Sequence, residues 1–180
     1  MGHESMRTLE QVREFVLDMH DDNTGMGMSW ECLYAVCERA VRDEPNLEWS
    51  LISDLIKPNF DSHSDLNFTI EQLIEAFGHW NPERAVQTFS ELVNETNVRS
   101  VVYGLSRGLY RSGGTEMPSI TAFAKKASKL LHDTECRGLL DLYCVVQMGD
   151  DSSRYLLEET YSRLKSGCPE YADQVTSPPI

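Results

Sequence analysis

The chain of 180 residues has no apolar run near the roughly 20 residues that a membrane-spanning helix needs. Its N-terminus, Met1-Gly2-His3-Glu4-Ser5-Met6, lacks an apolar signal core. Its last residues, Ser177-Pro178-Pro179-Ile180, are polar, and the expectation from them is a form without a tail anchor. There is no HExxH, no GxSxG, no phosphate loop and no glycine-rich dinucleotide turn, so no common hydrolase, nucleotide-binding or metalloprotease signature is present. Positive charge is scarce: 16 Lys and Arg stand against 29 Asp and Glu, a net charge of −13. A polyanion repels phosphate backbones and anionic lipid heads, which makes nucleic acid and membrane surfaces poor partners.

Cysteine is limited to Cys32, Cys37, Cys136, Cys144 and Cys168. An odd count without a CxxC pair speaks against a disulfide framework or a zinc ribbon. The expectation is five reduced, unpaired thiols, no bound metal, no cofactor and a reducing, cytoplasmic or nuclear location, of which the cytoplasmic is preferred.

Strand signals are absent, while the helical period of apolar residues runs nearly throughout. Leu9, Val12, Val16 and Met19 give a first helix. Ser29 can cap a second with Leu33, Val36, Cys37, Ala40 and Val41, ended by Pro45. Trp49, Ile52, Leu55 and Ile56 make a short third, stopped by Pro58. A polar loop from Asn59 to Asn67 follows. Thr69 and Gln72 match a capping box before Ile70, Leu73, Ile74 and Phe77. Asn81-Pro82 opens the next helix. Asn97 caps another, which Gly113-Gly114 breaks. Thr115 and Pro118, Thr134, and Asp150 to Ser152 open the last three.

The pattern therefore predicts an all-α bundle of eight or nine helices over residues 8–166. Residues 1–7 and 167–180 are expected to be loose. Within the Asn97–Arg111 helix, Gly104 and Gly108 are four apart. Glycine costs about 1 kcal/mol in a helix interior, so a helix with two is expected to lie at the centre, with another backbone pressed against it.

Two possible ligand clusters are weak. His20, Asp22, Thr24, Gly25 and Glu31 fall at calcium-loop spacing, but histidine stands where the template has aspartate. Asp61, His63 and Asp65 read as solvated loop residues. A pairing of Cys136 with His132 lacks a third, orienting group. The chain is expected not to be an enzyme.

The order of features resembles the Bcl-2 family of apoptosis regulators, including diverged viral members. Leu9 to Trp30 resembles its first helix and loop. Leu33-Tyr34-Ala35-Val36-Cys37-Glu38 is similar to its third homology motif, with Cys37 in place of glycine and Glu38 in place of aspartate. Pro82 to Glu95 resembles its fourth helix. Asn97-Val98-Arg99 falls where the family has Asn-Trp-Gly-Arg. The Trp and Gly of that motif are missing here, as is the tryptophan of the second homology motif, and the Thr69–Phe77 helix is extra.

The resemblance implies a groove that receives the amphipathic helix of a pro-apoptotic partner, with pro-survival action. Its lining would be Ile52, Leu55, Ile56, Phe89, Leu92, Val93, Val102 and Tyr103, with Asn97 and Arg99 at the head of the central helix. Arg99 would pair with an aspartate of the ligand. The alternative from another class is a helical adaptor that self-associates, as a homodimer for example, through an apolar face.

Overall fold

The apolar stripe Val98, Val101, Val102, Leu105 and Leu109 forms the inner face of one helix, Val98–Ser112, and all five side chains are buried. The computed structural model describes residues 8–24, 30–44, 46–57 and 65–175. Among them run α1 (Leu9–Thr24), α2 (Trp30–Asp43), α3 (Trp49–Asp54), α4 (Asp65–Trp80), α5 (Pro82–Leu92) and α6 (Val98–Ser112). Next come α7 (Ser119–Leu130), α8 (Cys136–Val146), a single 3-10 turn (Asp151–Ser153), α9 (Arg154–Gly167) and α10 (Pro169–Ala172). The fold is all-α, and the described residues contain no strand beyond one isolated bridge between Met117 and Gly149. None of these helices is long and apolar enough to cross a membrane.

α6 packs against α4, α5, α7 and α8, which makes it the central helix. Its two glycines explain the tightest of these contacts. A Cβ on Gly104 would lie 2.7 Å from the Cβ of Ile74 in α4. A Cβ on Gly108 would run into the carbonyl oxygen of Glu75 and approach the Cα of Gly78 at 3.0 Å. At Gly108 the backbones of α4 and α6 therefore meet with no side chain between them, and at Gly104 the Ile74 side chain fills the space a Cβ would take. Gly113, with φ 66° in the left-handed region, ends α6.

The helix expected to be an addition, α4, shares the centre. It starts at Asp65, not at a Thr69 cap, so the loop expected through Asn67 ends early. Leu66, Asn67 and Phe68 extend the helix backwards, and Thr69 lies inside it, wholly buried, 3.1 Å from Nδ1 of buried His20. That contact takes up the histidine that stood first in the calcium-loop pattern. Asn81 and Pro82 open α5 as expected, although the Asn81 side chain makes no capping bond. The Ser29 cap, Pro45, Pro58 and the Asp61–His63 pair lie outside the described residues.

Two expectations about the C-terminal part are corrected. Cys136 and Cys168 form a disulfide with their Cα atoms 5.5 Å apart, while Cys32, Cys37 and Cys144 carry no disulfide. The residues are 32 apart in sequence, and the α8–α9 hairpin brings them together. Disulfides persist in oxidising surroundings, so the cysteines of this chain do not point to a reducing compartment. The segment after Gly167 is also not loose throughout. α10 packs on α8 and α9 and buries Ala172.

Candidate functional site

Two places in the fold gather the residues of interest. The first is the seat of α3, a six-residue helix without a side-chain cap. Six residues form under two turns, so α3 depends on tertiary packing rather than on its own propensity. Trp49 stacks on Phe77 at 4.3 Å between ring centroids and meets Phe89 edge-on at 5.8 Å. Ile52, Leu55 and Ile56 turn the same side into the core. α1 and α5 are the neighbouring helices. Buried Asn97 fastens the seat: its amide donates to the Ser53 hydroxyl and to the Leu92 carbonyl at 3.0 Å, and its carbonyl accepts from the Asn94 amide at 2.8 Å.

The structure thus brings Ile52, Leu55, Ile56, Phe89, Leu92, Val93 and Asn97 to one region, but not as an open trough. Ile52, Leu55, Ile56, Phe89, Val93 and Val102 are core residues, 7% exposed at most, and only Leu92 and Tyr103 are half-buried. Arg99 and Tyr103 point elsewhere, towards α8. The Arg99 guanidinium is engaged by Glu135, with Nε 2.5 Å from Oε1. Expected to be free for a ligand, Arg99 instead has an acidic partner within the chain, and that partner is Glu135 rather than the nearer-in-sequence Glu95.

The second place is a cleft of about 470 Å³ lined by Glu31 and Tyr34 of α2, Gln72 of α4, and Tyr103, Arg107 and Arg111 of α6. Arg99, Tyr103, Arg107 and Arg111 recur every four residues and so share one face of α6. Beneath the cleft lies Glu75, whose side chain is wholly buried. An ionised carboxylate in that position requires a cation, and here it has two. Arg107 Nε donates to Oε2 at 2.9 Å and Arg111 Nε to Oε1 at 2.5 Å. Each guanidinium also lies over a tyrosine ring, Arg107 at 5.2 Å from Tyr103 and Arg111 at 4.4 Å from Tyr34.

Tyr34 shares a 2.7 Å hydrogen bond with Nδ1 of His79, and the Glu38 carboxylate stands 3.7 Å from the same ring nitrogen. Burial, and then the Glu38 charge, push the Tyr34 phenol up to about 12, so it stays protonated across the physiological range. On the far side of Tyr103, Asp141 is buried beside Arg137, and burial raises its carboxyl to about 6.

Sequence reasoning named none of Tyr34, Gln72, Glu75, Arg107 or Arg111 as a site residue, although it placed Gln72 in a capping box and Tyr34 in a homology motif. The signal was nevertheless there. Glu75 interrupts the apolar run Leu73-Ile74-Glu75-Ala76-Phe77, and the arginines sit at helical spacing on a helix already expected to pack closely on a neighbour. Among the described residues no group of three or more His, Cys, Asp and Glu side chains is placed to hold a metal ion.

No family model, no curated protein and no solved structure matches this chain. The resemblance to the Bcl-2 family therefore stands on the quoted residues alone.

Proposed function

We propose that this chain is a non-enzymatic receptor for an amphipathic helix of another protein, as the resemblance to pro-survival apoptosis regulators implies. One observation supports the reading: the fold already holds a short helix, α3, against α1 and α5, with its Ser53 hydroxyl tied to Asn97 at the head of α6. A ligand helix takes the seat by displacing α3. Exposing Ile52, Leu55 and Ile56 costs roughly 1.5–3 kcal/mol each, which the four apolar anchors of an incoming helix offset in kind. On this reading pro-apoptotic helices are the partners, and sequestering them is the pro-survival act.

Isothermal titration with a panel of pro-apoptotic helix peptides tests this, together with hydrogen exchange over residues 49–57. The expected result is saturable binding by at least one peptide and faster exchange in α3 on binding. No heat from any peptide, with α3 unperturbed, ends the proposal.

A second reading, a self-associating helical adaptor, draws on the aromatic corner at the end of α4. Trp80 is 45% exposed there, with Arg42 over its ring at 4.8 Å, beside a cavity of about 340 Å³ lined by Leu47, Trp49 and Phe77 among others. Exposed Trp and Arg are residue types that anchor interfaces. Sedimentation equilibrium of the wild type and of Trp80→Ala decides it: a dimer that the substitution abolishes supports the adaptor, and a monomer at every concentration excludes it.

A further inference from the structure

We propose that the cleft between α2 and α6 is an oxyanion site, in which Arg107 and Arg111 together take a carboxylate or phosphate group. The site stands apart from the seat of α3 and does not depend on the helix-receptor reading. Three features of the cleft carry it.

The first is the pairing. Glu75 offers one charge to two guanidiniums, and each binds it through Nε only. Those are the only side-chain hydrogen bonds that Arg107 and Arg111 make among the described residues, so the terminal amino groups of both are left with donors to spare. Arginine presents its donors in a planar fork that matches the two oxygens of a carboxylate or the oxygens of a phosphate.

The second is the fixing of those forks. The Nε bonds to a wholly buried carboxylate and the stacking over Tyr103 and Tyr34 hold both guanidiniums from below. A surface arginine loses side-chain freedom when it binds an anion, whereas these two have already lost it. The third is room. Both side chains remain almost half exposed, 45% and 46%, and they border a cavity large enough for a small organic ligand. Gln72 adds an amide to the same wall. Glu31 also lines the cleft, but it is exposed, and water screens its charge.

Inorganic phosphate, phenyl phosphate, acetate and benzoate are the probes, each titrated at constant ionic strength into the full chain labelled with nitrogen-15. The arginine Nε–Hε resonances of Arg107 and Arg111 are followed. At least one oxyanion is expected to shift both resonances saturably in the millimolar range or below. The two phosphates and the two carboxylates form separate arms and identify which head group the cleft prefers. Arg111→Gln is expected to weaken that binding at least tenfold. Glu75→Gln, which leaves both guanidiniums uncompensated, is expected to tighten it severalfold. Should Glu75→Gln fail to fold, the wild-type titration together with Arg111→Gln remains decisive. Resonances that no anion moves, or an affinity unchanged in Arg111→Gln, would show that the two arginines serve only to neutralise Glu75.

Discussion

Gly108 of α6 faces Gly78 of α4 across a gap that admits no Cβ: one added to Gly108 would stand 3.0 Å from the Cα of Gly78 and collide with the carbonyl oxygen of Glu75. The clash is with backbone, which has no rotamer to escape into. Gly108→Ala therefore has to push the two central helices apart. We expect a loss of about 1–3 kcal/mol or more in chemical denaturation, the range for overpacked cores. Tyr110→Ala, at a position 77% exposed on the same helix, should change stability by under about 0.5 kcal/mol. Equal effects at both positions would mean that the glycine contact does not hold the helices together.

The Cys136–Cys168 bridge closes a loop of 32 residues between the start of α8 and the start of α10. Loop entropy for that length corresponds to about 3–4 kcal/mol of stabilisation. Reductant should lower the denaturation midpoint of the wild type and leave Cys136→Ser unaffected. Intact mass under non-reducing conditions, two mass units below the fully reduced chain, is the direct check on the bond.

The centre of the fold was legible because its cause is local. Two glycines four residues apart on an apolar stripe have few uses other than close helix packing, and Gly104 and Gly108 have that use. The start of α5 was legible for the same reason, since Asn81 and Pro82 are neighbours in the chain. The misses all depend on partners distant in sequence. Thr69 has the spacing of a cap, but its hydroxyl is taken by His20 from α1, 49 residues away, inside a longer helix. Arg99 meets Glu135 and Cys136 meets Cys168 only once the helices pack, across 36 and 32 residues. The apolar lining expected for a groove has the same spacing as core, and most of it turned out to be core.

Asp141 supplies a pH dependence whose sign is fixed by its environment. Burial outweighs the attraction of Arg137 and Arg107 and raises the carboxyl to about 6 from an unfolded value of 3.8. A raised acid favours its protonated form in the fold. Its contribution to stability is thus complete below about pH 4 and is lost as the pH rises through 6. A shift of about 2 pH units corresponds to roughly 3 kcal/mol. Asp141→Asn, a mimic of the protonated form, should match the wild type near pH 4 and exceed it by an amount of that order at pH 8. The difference between the two stability curves isolates this group from the other carboxylates. A difference that does not grow between pH 4 and 8 would count against the assignment.

The last prediction separates the proposed helix seat from an ordinary core. Asn97 is 1% exposed, and its side chain ties three segments together: Ser53 in α3, Leu92 at the end of α5, and Asn94 in the turn before α6. Asn97→Ala removes all three bonds and leaves buried polar groups without partners, at about 1–3 kcal/mol each where water cannot replace the bond. Stability should fall in either case. Ligand binding is where the two views differ. If α3 merely completes the core, loosening it damages the fold and any peptide affinity falls or is absent. If α3 occupies a seat that a ligand helix shares, it acts as an internal competitor, and the observed affinity is reduced by the fraction of molecules in which α3 is out. Weakening its attachment by about 1.4 kcal/mol raises that fraction up to tenfold. Asn97→Ala should therefore melt at a lower temperature yet bind helical peptides several times more tightly than the wild type, read by calorimetry below the melting transition. A variant that is both less stable and no better at binding would show that α3 is a fixed part of the core.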